Sequence, residues 1–421
     1  MNIPAALRDS AERLGTIESS GIIREPLSDR EIRQALCKPY WPDSSNNTVF
    51  NLVKPGESAC LVVSDHTRKT AAEAILPILV DGFARIGCSI KNMFILIASG
   101  IHRAPTTAET KNILGQEVFN QFEGRIFRHD ADDETNLVHV GTTARGHQVR
   151  VNRRAIEADR LILIGTAGYH YHAGFGGGRK SLVPGLASRD TIAYNHSLTL
   201  DPSFDRIHPM VDLGILDGNP VAEEMLEGAR MCEPDIIINT VLTPSGHLVG
   251  VFSGDLILAH RAACKMAEEV SRVNISQPAN LVIASAGSAL NWVQSHKALV
   301  NAHRAIKSDG RIILIAPCPE GLGDERFRYW VKKKEIAEIY SELRRSAEVL
   351  GQTALSSIIR GRNAILVTQM NSKDISDLGI RTAPDLELAI KNAMDDLKQK
   401  VKGKLSYYLM PEARHSVPFL P

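Results

Sequence analysis

The segment GYHYHAGFGGGRKS (168–181) holds two histidines in alternation, five glycines, an Arg-Lys pair and a serine. Histidines ligate metals or move protons, and in an extended chain His170 and His172 project to the same side. Glycines let a backbone approach a ligand, and a lysine beside them meets an anion or becomes a nucleophile. The loop is not a Walker A sequence, because Arg179 separates Gly178 from Lys180. Nor is it the dinucleotide fingerprint, whose third glycine falls on Arg179. Free backbone N–H groups and two cations still favour an anion such as phosphate. Glycines supply little packing, so the loop is expected to be mobile when no ligand holds it.

Other chemistry-bearing residues recur just past apolar runs. SDHTR (64–68) places Asp65, Thr67 and Arg68 after one run, and IHR (101–103) places His102 after the next. An arginine there can hold a carboxylate bidentately. His196 follows the glycine loop, and QSHK (294–297) spaces Gln294 and Lys297 along one helical face. His129, His139, His208, His260 and His415 form no constellation. One reading of the histidines is a zinc hydrolase, with His170, His172 and His196 as ligands and Asp65 as base. Another is a carrier of nickel or nucleotide without catalysis.

The elements that would position these residues repeat a pattern. Apolar runs such as ACLVVS, MFILIA and RLILIG end in polar, glycine-containing turns, and helix-like stretches follow. Continuous Val/Ile/Leu runs alternating with helices predict an α/β fold: two domains with mainly parallel sheets covered by helices. Ligands of such sheets bind beyond the carboxyl ends of the strands, which here carry the residues above. The sequence divides into a larger domain, 1–275, and a smaller one, 276–405, that closes the site, placing it in the interdomain cleft. The tail, 406–421, carries apolar and aromatic residues and is expected to pack back on the larger domain.

The 421 residues suit two or three domains, 43% apolar content supplies sizeable cores, and 23% charged residues fit a soluble protein. A formal net charge of +1 argues against a nucleic-acid or membrane surface held by bulk electrostatics. The six cysteines are scattered without a C-x-x-C pair, as expected of buried thiols in a cytoplasmic protein.

The ordered motifs DHTR (65–68), ASGIHRAPT (98–106), HYHAGFGGGRKSLVPG (170–185), NH (195–196) and QSHK (294–297) resemble the nickel-pincer nucleotide-dependent lactate racemase family. Lys180 lies ten residues past His170, and His196 sixteen past Lys180, the spacing of that family. The resemblance implies a racemase or epimerase of a 2-hydroxy acid, an isomerase. Its cofactor would be the nickel-pincer nucleotide, pyridinium-3-thioamide-5-thiocarboxylic acid mononucleotide with nickel, joined to Lys180 through a thioamide. His196 would complete the nickel coordination, and His102 and His170 would be the acid/base pair. Arg68, Gln294 and Lys297 would bind substrate, with Asp65, Thr67, Gly176, Gly177, Gly178 and Arg179 at the cofactor. Proteins of cofactor biosynthesis would be its partners. Val293 stands where lactate-acting members carry an aromatic, GSALNW (287–292) departs from their usual run, and Lys69 replaces a common proline. A longer or more polar hydroxy acid than lactate therefore stays open.

Overall fold

The structure, a computed structural model, describes residues 5–19, 24–43 and 47–421. The chain forms two compact units. The larger comprises residues 23–202 and 206–269, and the smaller comprises 1–22, 203–205 and 270–421.

The larger unit is built on a six-stranded sheet. Its order is Leu248–Gly254, Ile236–Leu242, Arg160–Thr166, Ala59–Ser64, Met93–Ala98 and Ile126–Arg128. All neighbours are parallel except the first pair. The central strands are buried almost throughout, which is why they read as unbroken apolar runs. On one face, Leu61, Val63, Ile95 and Ile97 share a core with Ile75, Leu76, Leu79 and Phe83 of the helix Ala72–Arg85. After the Ala59–Ser64 strand the chain moves to one side, to Met93–Ala98, and later returns on the other side as Arg160–Thr166. The strand order therefore reverses at Ala59–Ser64, the topological switch point where such sheets bind ligands.

The smaller unit is also a six-stranded sheet, parallel throughout, ordered Ala11–Thr16, Leu405–Met410, Ala279–Ser285, Ile306–Ile315, Ala364–Val367 and Arg381–Ala383. Two sequence expectations give way here. The tail does not add to the larger domain: Leu405–Met410 is an inner strand of the smaller unit's own sheet. The N-terminal segment, assigned to the larger domain, supplies that sheet's edge strand instead. The physical reason is core burial, since Leu405, Tyr407 and Leu409 pack with Leu281, Ile283 and the helix Leu386–Lys398. Among the described residues no helix is long and apolar enough to cross a membrane. Five of the six cysteines are buried free thiols, and Cys37 is exposed.

Candidate active site

Asp65 follows directly on a buried strand, and its carboxylate is itself buried, 2% exposed. Its Oδ1 accepts from the Thr67 backbone N–H at 3.0 Å and from the Thr67 hydroxyl at 2.6 Å. Its Oδ2 accepts from His102 Nδ1 at 2.7 Å. Burial alone would raise this carboxyl, but the bonds from His102 and Thr67 and the His102 charge hold it below the ordinary carboxylate range. The strand register pairs Ser64 with Ala98, which sets the two following loops side by side. The turn carrying His102 is fixed by Gly100, whose N–H donates to Gly185 O at 2.9 Å, and by the His102 N–H, which donates to Ser99 O at 2.9 Å. With Nδ1–H given to Asp65, the His102 lone pair sits on Nε2, in a side chain 45% exposed. That is the arrangement of an oriented general base. Both Asp65 oxygens are engaged within the protein, one with Thr67 and one with His102, whose ring it orients. Arg68 is exposed, its Nη1 donating only weakly, at 3.4 Å, to Thr67 O.

The glycine loop lies over the opposite sheet face, above Ile237. The expectation of loose packing fails, and three of the loop's N–H groups are taken within the protein. Gly176 N–H donates to Gly168 O, Gly178 N–H to Asn239 Oδ1 and Lys180 N–H to Gly177 O. The glycines serve the protein's own close packing. A Cβ on Gly174 would lie 2.1 Å from Ile215 O, one on Gly177 2.7 Å from Asn239 Oδ1, and one on Gly178 2.8 Å from Ile237 Cδ1. Arg179 is buried beneath the loop, 4% exposed. Its Nη1 donates to His260 Nδ1 at 2.8 Å and its Nη2 to Ala173 O at 3.4 Å. Among the described residues no carboxylate pairs with it, and burial pushes its guanidinium down to about 10. Among the described residues Arg179 Nε and Asn239 Nδ2 are buried donors without a partner.

His170 sits in the short hairpin Tyr169–His170/Gly174–Phe175. Its Nδ1 accepts from the backbone N–H groups of His172 and Ala173, each at 3.2 Å. Two amide donors on one ring nitrogen leave the proton of the neutral ring on Nε2. His170 thus presents a donor where His102 presents an acceptor. His196, on the helix Arg189–Ser197, is buried, and its Nδ1 donates to Ile192 O at 2.8 Å. Burial pushes it down to about 4, opposed by that carbonyl and aided by the nearby charge of Lys180. The ring is therefore neutral near pH 7 with its lone pair on Nε2. Lys180 is half-buried, in the short 3₁₀ turn Gly178–Ser181.

The ring centroids of His170 and His172 stand 6.1 Å apart, and those of His172 and His196 6.2 Å. Among the described residues no three His, Cys, Asp or Glu side chains are placed to hold a metal. The H-x-H zinc site, and the hydrolase built on it, thus find no support.

Gln294 and Lys297 lie three residues apart in the helix Trp292–His303 of the smaller unit, both half-buried. Asn291 caps that helix by accepting from Gln294 N–H at 3.1 Å, and Gln294 Oε1 accepts from Leu290 N–H at 3.2 Å.

Sequence reasoning missed Asn239 and His260. Asn239 left a signal, as a polar residue interrupting the run IIINTVL. His260 left none, being one histidine on a mixed helix.

Residues 5–205 match the lactate racemase N-terminal domain, and residues 275–405 the lactate racemase C-terminal domain. The chain is 32% identical to the lactate racemase of Thermoanaerobacterium thermosaccharolyticum over 386 residues, 89% of this chain and 88% of that one. It is 31% identical to the lactate racemase of Lactiplantibacillus plantarum over 314 residues, 74% of this chain and 71% of that one. The structure of the lactate racemase apoprotein from Thermoanaerobacterium thermosaccharolyticum superposes with a TM-score of 0.84 at 27% identity, covering 100% of this chain and 97% of the other. A Thermotoga maritima crystal structure shares the fold, with a TM-score of 0.68 at 18% identity, over 94% of this chain and 99% of that one. The chain is an enzyme of the isomerase class, a racemase. It belongs to the lactate racemase family.

Proposed function

We propose that this chain racemises or epimerises a 2-hydroxy acid, lactate or a larger one, with a nickel-pincer nucleotide held on Lys180. The carrying observation is Lys180 close to a buried neutral histidine, His196, whose Nδ1–H is already given to Ile192. A histidine fixed in that tautomer is a ready metal ligand through Nε2. The orphaned donors of Arg179 and Asn239, with no acid among the described residues beside the buried guanidinium, suit an anionic cofactor at the glycine loop. Lys180 would hold the group through a thioamide, and His196 would take the nickel. When bound, the nucleotide supplies an electron-poor ring for hydride exchange at C2 of the substrate.

The chain's own residues do the rest. His102 Nε2 takes the hydroxyl proton, and Asp65 stabilises the resulting imidazolium, a contribution of roughly 10²–10⁴-fold. Arg68 pairs with the substrate carboxylate, and Gln294 and Lys297 are further substrate contacts. His170 donates from Nε2 to the substrate oxygen. To act as base for the other enantiomer, it must first release the two amide bonds on Nδ1. Both curated relatives are named for lactate, while Val293, where lactate-acting members carry an aromatic, leaves a larger acid open. The proteins that assemble the cofactor are the partners this reading implies.

Protein loaded with the cofactor tests the proposal. Its intact mass should exceed the sequence mass, the excess should map to Lys180, and Lys180→Ala should abolish it. Chiral analysis across a panel of 2-hydroxy acids should find at least one inverted. An adduct on another lysine, or a loaded protein that inverts none of them, would overturn it.

A further inference from the structure

The segment just before Lys180 is held from two directions, by Asn239 and by His260, neither of them an acid/base or substrate-binding group in the reading above. From the strand Ile236–Leu242, Asn239 Oδ1 accepts from Gly178 N–H at 2.7 Å. From the helix Leu258–Ser271, His260 Nε2 bonds Gly176 O at 2.7 Å. A carbonyl can only accept, so Nε2 carries the ring proton and Nδ1 carries the lone pair. That lone pair receives Arg179 Nη1–H at 2.8 Å. One imidazole thus ties the backbone of residue 176 to the side chain of residue 179. Both clamp residues are buried, Asn239 fully and His260 to 2% exposure. Gly177 has no room for a Cβ, which would meet Asn239 Oδ1 at 2.7 Å and His260 Cδ2 at 3.0 Å. Cys264, one turn along the helix, backs the ring with its sulfur at 3.5 Å.

We infer that His260 is a positioning residue for Lys180: with Asn239 it clamps residues 176–179 and so fixes where the Lys180 side chain starts. The arrangement needs the neutral ring. A second ring proton would meet the Arg179 N–H, and the buried guanidinium opposes a second positive charge beside it. Burial first, and then the Arg179 charge, push His260 down to about 3, which keeps it neutral across the working range. A local support network of this kind matters because small displacements of a reacting group cost rate steeply.

The inference rests on the assignment of Lys180 as the attachment site. Its test uses His260→Leu, which removes donor and acceptor, and His260→Gln, whose amide offers one of each. In cofactor-free protein, hydrogen exchange at residues 176–180 should quicken in the Leu variant by roughly tenfold or more and return towards wild type in the Gln variant. With cofactor supplied, the Leu variant should carry less adduct on Lys180. Each loaded molecule should lose kcat by roughly tenfold with KM little changed, and Gln should restore most of both. A Leu variant matching wild type in exchange, loading and kcat would overturn the clamp. Should the Leu variant not fold, His260→Asn replaces it, since the shorter amide reaches one partner at most, and wild-type behaviour there overturns the clamp equally. Failure of the underlying reading shows separately, as wild-type protein that forms no adduct on Lys180.

Discussion

At the residue scale the proposed chemistry rests on two histidines with opposite resting tautomers. His102 gives Nδ1–H to a carboxylate and keeps a lone pair at Nε2; His170 receives two amide protons at Nδ1 and keeps a proton at Nε2. Asp65 is therefore more than a charge near the site. In Asp65→Asn an amide N–H can face His102 Nδ1, which would move the ring proton to Nε2 and turn the base into a donor. Racemisation should fall by roughly 10²–10⁴-fold with little change in KM, because the loss falls on proton transfer. Steady-state kinetics on loaded protein check this, and Asn activity within threefold of wild type would refute the orientation role. The motif order already pointed to His102. The tautomers were out of reach of the sequence, because they depend on which atoms the fold sets at 2.7–3.2 Å.

At the scale of elements, the glycine loop is a packed wedge between strands rather than a flexible flap. Gly174 shows this best. Its φ of +71° favours glycine, and a Cβ there would stand 2.1 Å from a backbone carbonyl, Ile215 O, which cannot swing aside. Gly174→Ala should destabilise the cofactor-free protein by about 2 kcal/mol or more. Denaturant unfolding measures it, and an unchanged midpoint would show that the loop has slack. The apolar runs made the strands and their carboxyl-end loops legible, since burial on both faces removes the alternation that marks other sheets. They could not show what lies beneath a loop. Asn239 and His260 reach it from elements far along the chain, and only the parallel pairing of Ile236–Leu242 with Arg160–Thr166 brings them there.

The same limit governed the whole molecule. The edge strand Ala11–Thr16 has mixed burial and no apolar run, so nothing local marked it as part of a sheet closed by residues almost 400 positions away. Its partner Leu405–Met410 is buried at every position and stands between it and Ala279–Ser285. Removing residues 405–421 should therefore unfold the smaller unit while the larger keeps its own core. Hydrogen exchange should show protection lost over 279–398 and kept over 59–254; protection retained over 279–398 would contradict the topology.

Acid stability is a property of the whole chain, and buried histidines set it. His260 and His296 are each pushed by burial from an ordinary 6.5 down to about 3, and their positive neighbours add to the effect. His296 is fully buried, its Nε2 against the Ser356 hydroxyl at 2.9 Å. Below pH 6.5 the unfolded chain binds protons at these rings and the folded chain does not. Their contribution is therefore whole above 6.5 and is lost as pH falls towards 3, by about 2 kcal/mol per histidine at pH 5. Carboxylates held down by ion pairs act below this window. Glu57, held down to about 2 chiefly by its bond from Arg160, gives up stability only once pH drops below its ordinary 4.5. The Tm of cofactor-free protein should fall by several degrees between pH 7.5 and 5, and His296→Gln should show a smaller fall over the same interval. Equal Tm values at the two pH values would mean that these rings are protonated inside the fold, which their packing forbids.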